Sequence, residues 1–476
     1  MESLSLADSK LRAASLNPSD FTKPFLDFMT NNPTVFHAVD YFCKKLEAKG
    51  FTKLSERANW EGKLKKGGRY YTTRNGSSLM AFVVGEKYKA GNGASIVVGH
   101  IDALTARLKP VSKKPNSQGY VQLGVAPYAG ALNSTWWDRD LGVGGKIIVK
   151  ENGKIVEKLV KLDWPIARIP TLAPHFGAAA NGPFNKETNM VPIIGLESAE
   201  ADKLDAPEDC FASSQPPRLV KALSNELGIK DYSSIINWDL ELFDTQPAAL
   251  GGLSKEFIFA GRIDDKLCSW AALEALLTAV DNGADKLGTL SICGLFDDEE
   301  IGSKLRQGAA SNYLNIVMER VIEQFSEGRG LTNLVAQTNA NSFIVSADVS
   351  HAVNPNFLHA YLPDHMPKFN VGITVCADSN GHMTTDAVST SLFTRIAEKS
   401  DCKLQIFQIR NDSRSGGTVG PMLSAATGIR AIDAGMAQLS MHSIRATCGS
   451  LDPGLGVKIF AGFYEGFEAV DAEFEE

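Results

Sequence analysis

The chain reads as an α/β protein in which one α/β domain is interrupted by a β-rich insertion. Continuous apolar runs of buried-strand type, residues 94–99 (ASIVVG) and 289–296 (TLSICGLF), alternate with helical patterns before residue 102 and after residue 250. Between them the texture changes to short, Gly-rich, Pro-punctuated strands. The length, 476 residues, exceeds what one ordinary core holds, so two domains are expected. The expected division is an N-terminal segment 1–18, an α/β domain from 19–102 and 251–476, and an insertion 103–250.

Along the chain, residues 20–49 carry two helical patterns. Phe21, Phe25, Phe28 and Met29 share one face, and Phe36, Val39, Phe42 and Leu46 continue after the Asn32-Pro33 break. Residues 68–100 hold two or three strands around an Asn75-Gly76 turn, and Asn152-Gly153 marks a hairpin between 146–149 and 155–160. Residues 197–217, acidic and Pro-containing, read as an exposed loop. Residues 2–17 place Leu4, Ala7, Leu11 and Ala14 near one face of a weakly amphipathic helix.

Bulk properties fit a globular protein, with 44% hydrophobic and 22% charged residues. A net charge of −7 argues against nucleic acid or another polyanion as partner. No apolar run reaches the roughly 18 residues a membrane helix needs, and the first residues lack the basic region and long apolar core of a secretory signal. Seven scattered cysteines without a CxxC read as reduced thiols, so the sequons at Asn75 and Asn133 carry no weight.

The chemistry is concentrated where strand-like runs end. Residues 289–296 run into Asp297-Asp298-Glu299-Glu300, residues 94–99 into His100-Ile101-Asp102, and residues 257–260 into Asp264-Asp265. Residues 343–347 lead to Asp348, with His351 three positions on, and residues 438–441 lead to His442. Taken alone, an acidic run is more often a solvated turn, and a strand-end His more often a polar cap. Five repetitions of the pattern change the balance, because open α/β sheets place ligands at the carboxyl ends of their strands. The expectation is that the whole set belongs to one sheet. Two divalent cations roughly 3.5–4 Å apart need a bridging carboxylate and terminal ligands on each side. Asp264 is the best bridge, with His100 and Asp348 completing one site and Glu300 and His442 the other. Glu299 remains as general base and then proton donor, and Asp102 as the group that fixes the His100 ring. Imidazole and carboxylate ligands without thiolate suit zinc, with cobalt or manganese as substitutes.

At this point the chain resembles the fungal vacuolar aminopeptidase I branch of the aspartyl aminopeptidase family of dizinc metallopeptidases, from about Phe21 to the C-terminus. The resemblance is carried by GHIDALTARLKPVS (99–112), STWWDRDLGVGGK (134–146), RIPTLAPHFG (168–177), FAGRIDDKLCSW (259–270), FDDEEIGS (296–303) and SADVSH (346–351). It continues through NVGITVCADSNGHMTTD (370–386), NDSRSGGTVGP (411–421) and AQLSMHSIRA (437–446). Position by position, the family's metal ligands fall on His100, Asp264, Glu300, Asp348 and His442, and its acid/base on Glu299. The resemblance implies a zinc-peptidase-like α/β/α catalytic domain with an inserted β-rich oligomerisation and lid domain. It implies two zinc ions per subunit, peptide substrates trimmed from the N-terminus, and a homo-oligomer, typically a tetrahedral dodecamer. It further implies that His175 reaches into a neighbouring subunit's site.

His351 is expected beside the centre, and Gly417 and Thr418, with Gly416, in a loop whose backbone binds substrate amides. Trp136 to Asp140 are expected to pack a core or interface. The acidic-specific branch carries a lysine where this chain has Cys376 and a tyrosine where it has Met383, which points to neutral, apolar N-terminal residues over Asp or Glu. Vacuolar relatives travel from the cytosol by selective autophagy, so the expected location is the vacuole reached without a signal peptide, with an autophagy receptor as partner and the cytoplasm as the alternative. A carboxypeptidase-like amidase would need a cationic clamp, for which Arg262 and Arg445 are the nearest groups. A non-catalytic shell or cargo protein would lack a ligand or the base, and none of the six core positions is missing. The G-x-S-x-G, P-loop and H-E-x-x-H patterns are absent.

Overall fold

The structure, a computed structural model, describes residues 10–475. Its main sheet has nine strands. Across the sheet they run Thr52–Lys53, Arg69–Arg74, Ser78–Val84, Leu290–Phe296, Ala94–His100, Phe343–Ser346, Arg430–Gly435, Ile373–Cys376 and Leu404–Phe407. The four central strands, Leu290–Phe296 to Arg430–Gly435, are parallel to one another. Such strands are buried on both faces and therefore read as unbroken apolar runs; every residue of 78–84, 94–100 and 290–296 is buried.

Alternate side chains on these strands feed two separate cores, as the period of two requires. Leu79, Ala81, Val83, Val97, Cys293 and Leu295 face one layer, packed by helices Thr22–Asn31, Val35–Ala48, Ile263–Asp281, Ala387–Ser400 and Asp452–Asp471. Met80, Phe82, Val84, Ile96, Val98 and Ile292 face the other, packed by Tyr313–Gln324, Leu331–Ala340 and Val419–Thr427. The result is a three-layer α/β/α sandwich. Helix Ile263–Asp281 is apolar all round and buried along most of its length, which its sequence dictates.

A second, six-stranded sheet is built wholly from residues 105–244 and has its own apolar cluster around Trp136, Ile147, Leu223 and Leu242. The Asn152-Gly153 hairpin joins antiparallel strands Leu141–Glu151 and Lys154–Lys161, longer than the expected segments. The two helices break at Asn32-Pro33 as the sequence indicates, with Thr34 capping the second.

Three expectations need correction. Residues 197–217 are not simply an exposed loop: Gln215 is buried and donates to the Pro110 carbonyl at 2.7 Å, and Pro217 opens a helix, Pro217–Leu227, that packs on the second sheet. Of the N-terminal helix, residues 2–9 lie outside the described residues. Residues 12–15 form one 3-10 turn, with Ala13 buried and its amide donating to Glu465 at 3.1 Å. Third, the five strand-end motifs do not share one sheet. The strand before Asp264, Phe257–Ala260, belongs to a separate three-stranded sheet, and His442 lies in the loop between the short strands Ala437–Gln438 and Ala446–Gly449. The main sheet supplies only His100, Glu299, Glu300 and Asp348, from three adjacent strands.

Gly435 shows how closely these strands' ends are fitted. A Cβ there would lie 1.8 Å from the Asp348 carbonyl oxygen, which is backbone and cannot swing away. Gly435→Ala is expected to destabilise the protein by about 3 kcal/mol or more and to weaken metal retention; urea unfolding and metal content after dialysis measure both.

Candidate metal centre

His100 ends the Ala94–His100 strand, pairs in register with Phe296, and is 1% exposed. Glu299 and Glu300 follow Phe296 in a 3-10 turn, Asp348 follows the neighbouring strand by two residues, and Asp264 stands at the start of helix Ile263–Asp281. His442 comes from the loop above. Arg262, Asp298, Ser440 and His442 all hold positive φ near 60°, although none is glycine. Each such residue costs on the order of 1 kcal/mol and persists where surrounding structure enforces it, commonly at active sites.

The side chains converge. His100 Nε2 lies 3.2 Å from Asp264 Oδ1 and 3.6 Å from Asp348 Oδ1. His442 Nε2 lies 3.4 Å from Asp264 Oδ2 and 3.5 Å from Glu300 Oε2. The two oxygens of Asp264 thus face opposite groups. Glu299 Oε2 is 3.7 Å from His100 Nε2. Asp102 Oδ1 is 3.2 Å from His100 Nδ1, and the Asp102 carboxylate also accepts from the Glu299 and Glu300 amides, each at 3.2 Å.

Electrostatics sharpen the picture. Burial disfavours charge on His100, but the Asp348 and Glu299 carboxylates overcome it and hold the imidazole well above its usual range. His442 is also raised, first by its contact with Asp264. Burial would raise Asp264 as well, yet hydrogen bonds from His100 and His442 hold it below the carboxylate range. Glu299 is pushed up to about 8, by burial first and then by Asp348 and Asp102. Glu300 is pushed up to about 10, by burial and by Asp264. This many carboxylates cannot all ionise side by side without cations.

The residues fit a metal pair. Donor atoms around a four-coordinate zinc with bonds of 2.0–2.1 Å stand about 3.3 Å apart, and the separations within each group run from 3.2 to 3.6 Å. The buried Glu300 Oε1 has no hydrogen-bond partner. Asp265 also approaches His100 and Asp348. Its Oδ1, however, accepts from the Cys268 amide, and burial with Asp348 pushes its carboxyl well up. That contact ties Asp265 to its own helix, whereas Asp264 places one oxygen toward each imidazole.

A cleft of about 970 Å3 opens onto Asp264, Glu299, Glu300, Asp348 and His442. It is also lined by His351, Cys376, Met383, Gly416, Gly417 and Thr418, with Phe407, Ile409 and Met441 as further apolar wall. Burial lowers the His351 pKa, favouring its neutral form. Thr418 stands just before helix Val419–Thr427 and is buried, without a capping bond from its hydroxyl. Trp136 packs the core of the second sheet and Trp137 meets the Phe184 ring, as expected. His175 is not brought to the cleft of its own subunit; it sits exposed in the turn Pro174–Ala180. Sequence reasoning missed Tyr128, whose hydroxyl donates to Asp102 Oδ2 at 2.7 Å from a strand of the second sheet. Nothing in its local pattern marks it.

An α/β/α sandwich with imidazoles and carboxylates gathered at the carboxyl ends of its central strands defines a zinc-peptidase type of metallohydrolase. The family model described as Aminopeptidase I zinc metalloprotease (M18) matches residues 28–464, and the chain belongs to that family. It is therefore a metalloaminopeptidase. It is 45% identical to vacuolar aminopeptidase 1 of Saccharomyces cerevisiae, covering 97% of this chain and 91% of the relative. It is 40% identical to an aspartyl aminopeptidase of Aspergillus oryzae, covering 93% and 95%. Among solved structures, mApe1 of Chaetomium thermophilum matches with TM-score 0.90 and 56% identity over 96% of this chain and all of that one. The mApe1 dodecamer of S. cerevisiae matches with TM-score 0.85 and 40% identity, over 96% and 99%. No described helix is long and apolar enough to cross a membrane.

Because folded Glu299 and Glu300 hold protons that the unfolded chain releases above about pH 4.5, the metal-free protein is expected to lose stability as pH rises from about 5 through 8. The slope is up to about 1.4 kcal/mol per pH unit for each proton held. Metal loading at pH 7 is expected to release protons. Calorimetric titration of chelated protein in buffers of different ionisation enthalpy measures that release.

Proposed function

We propose that the chain removes neutral, apolar N-terminal residues from peptides at a two-metal centre. His100, Asp264 and Asp348 would hold one cation, and Asp264, Glu300 and His442 the other. The observation that carries this reading is the Asp264 carboxylate, with one oxygen toward each imidazole. The mixed N/O donor set favours zinc, with cobalt or manganese as substitutes. When bound, the pair supplies Lewis acidity toward the scissile carbonyl and brings a water's pKa toward neutral.

The chain's own groups do the rest. Glu299, facing the cleft, takes the proton from the attacking water and returns it to the leaving amine. Asp102 fixes the His100 ring through Nδ1, leaving Nε2 free to coordinate. The surplus of acids around the cleft gives the substrate's α-ammonium a counter-charge. His351, neutral, is a hydrogen-bonding group beside the reacting carbonyl, and the Gly417 and Thr418 backbone flanks the peptide.

The specificity reading rests on the wall of the cleft. Among the described residues lining it none is Lys or Arg, while Cys376, Met383, Phe407, Ile409 and Met441 are apolar and Asp433 is acidic. A carboxylate side chain would bury its charge there without a partner, which is costly. Relatives called aspartyl aminopeptidase keep acidic specificity as the alternative. The carboxypeptidase-like reading lacks its clamp. Arg262 is half-buried with Nη2 donating to the Met29 carbonyl, and Arg445 donates to the Gln246, Pro247 and Phe259 carbonyls.

For the assembly, the reading is a homododecamer, as in the S. cerevisiae mApe1 structure. Support comes from the exposed loop around His175, where Leu172 and Phe176 are 43% and 67% exposed; His175 would enter a neighbour's cleft. The chain is divided at 103 and 250, with the inserted unit serving oligomerisation and as a lid. Location in the vacuole, reached from the cytosol through a selective-autophagy receptor, follows the vacuolar relative, with the cytoplasm as alternative.

Glu299→Gln is expected to lower kcat by about 10²–10⁴-fold while metal content holds; wild-type turnover would end the two-metal reading. On Leu- and Asp-anilides, kcat/KM is expected to favour Leu, and Cys376→Lys to narrow the gap by at least about tenfold, the order of one charge-assisted hydrogen bond. A preference for Asp in the wild type refutes the apolar assignment. His175→Ala is expected to depress activity without changing the mass in solution, read by light scattering.

A further inference from the structure

A segment of the inserted unit, residues 128–135, reaches the centre by hydrogen bonds. At its start the Tyr128 hydroxyl donates to Asp102 Oδ2 at 2.7 Å and lies 3.3 Å from Asp298 Oδ1. The Tyr128 ring is clamped from behind by the Arg107 guanidinium, 3.8 Å from its centroid. Asp102 in turn holds His100 and the Glu299 and Glu300 amides. Five residues on, Asn133 Nδ2 donates to the His442 carbonyl at 2.9 Å, and Thr135 Oγ1 accepts from the Ile444 amide at 2.9 Å. One stretch of eight residues therefore touches both halves of the centre.

Those contacts matter because the loops they hold carry strained backbone. Asp298 and His442 both sit at positive φ without being glycine. The Asp102 carboxylate accepts from two amides and a ring nitrogen, and the Tyr128 hydroxyl shares Oδ2 with the Glu300 amide. From these distances we infer that Tyr128 and Asn133 are positioning residues for catalysis. Tyr128 sets Glu299 and His100 through Asp102, and Asn133 sets the His442 loop. The inserted unit then fixes the catalytic geometry directly. The outer loop is tied to the same segment, since Lys186 Nζ donates to the Ala131 carbonyl at 2.8 Å. The inference rests on the roles proposed above for Asp102, Glu299 and His442.

The test uses the full-length, metal-loaded protein and a Leu-anilide substrate. Tyr128→Phe removes only a hydroxyl. It is expected to lower kcat by about 10–100-fold, the range typical for partners of metal-ligand supports, with KM within about twofold and metal content unchanged. Combined with Asp102→Asn, the loss should not exceed that of Asp102→Asn alone, since both act through one carboxylate. Asn133→Ala, read independently, should speed metal loss to a chelator by about tenfold. Wild-type kcat in Tyr128→Phe overturns the inference, as does a rise in KM alone, full additivity with Asp102→Asn, or unchanged metal loss in Asn133→Ala. If Tyr128→Phe does not fold, Asn133→Ala decides alone, and unchanged metal loss there overturns the inference. An active Glu299→Gln variant would instead defeat the underlying reading; an inactive Glu299→Gln beside a fully active Tyr128→Phe defeats only the positioning role.

Discussion

The architecture around the centre is governed by crowded negative charge. Asp102, Asp264, Asp265, Asp297, Asp298, Glu299, Glu300 and Asp348 are gathered about two imidazoles, most of them behind apolar strands. At 4 Å and an effective dielectric of 20, each like-charged pair costs about 4 kcal/mol, far more than any surface ion pair returns. The fold answers in three ways. Some carboxyls are pushed well above their usual range by burial and neighbouring acids, as with Asp265 and Asp297. Others are satisfied by amides and hydroxyls, as with Asp102. The remainder presents a donor set shaped for divalent cations.

Much of this was legible in the amino-acid order because buried parallel strands have no freedom in composition. The runs ending at His100, Phe296 and Ser346 are apolar on both faces, so a charged residue just beyond each one stands out. The sequence pattern could not tell which sheet a run joins. The strand before Asp264 looks like the others, yet it pairs with Ala446–Gly449 in a small separate sheet, a long-range choice that local periodicity does not encode. Helix Pro217–Leu227 escaped because Pro-rich flanks mask its start. Tyr128 escaped because its meaning lies in a partner 26 positions away in the chain.

On the proposed reading, recognition of the substrate side chain follows the opposite logic to the centre. Where the centre concentrates charge, the cleft wall uses sulfur and aromatic carbon, with Cys376 buried against Ser350 at 3.3 Å. Specificity of this kind is modest per methylene but strong against a misplaced charge. The two surfaces meet along the strand-end loops, so side-chain selection and bond cleavage are adjacent.

The turn at residues 12–15 has a wider meaning. Arg12 donates to the Asn282 carbonyl, at the far end of the helix whose first turn bears Asp264. At 1.5 Å per residue, that helix sets the two points roughly 25 Å apart. The N-terminal turn is thus anchored at the opposite end of that helix from Asp264, so changes at one end leave the other's geometry to the rod between them.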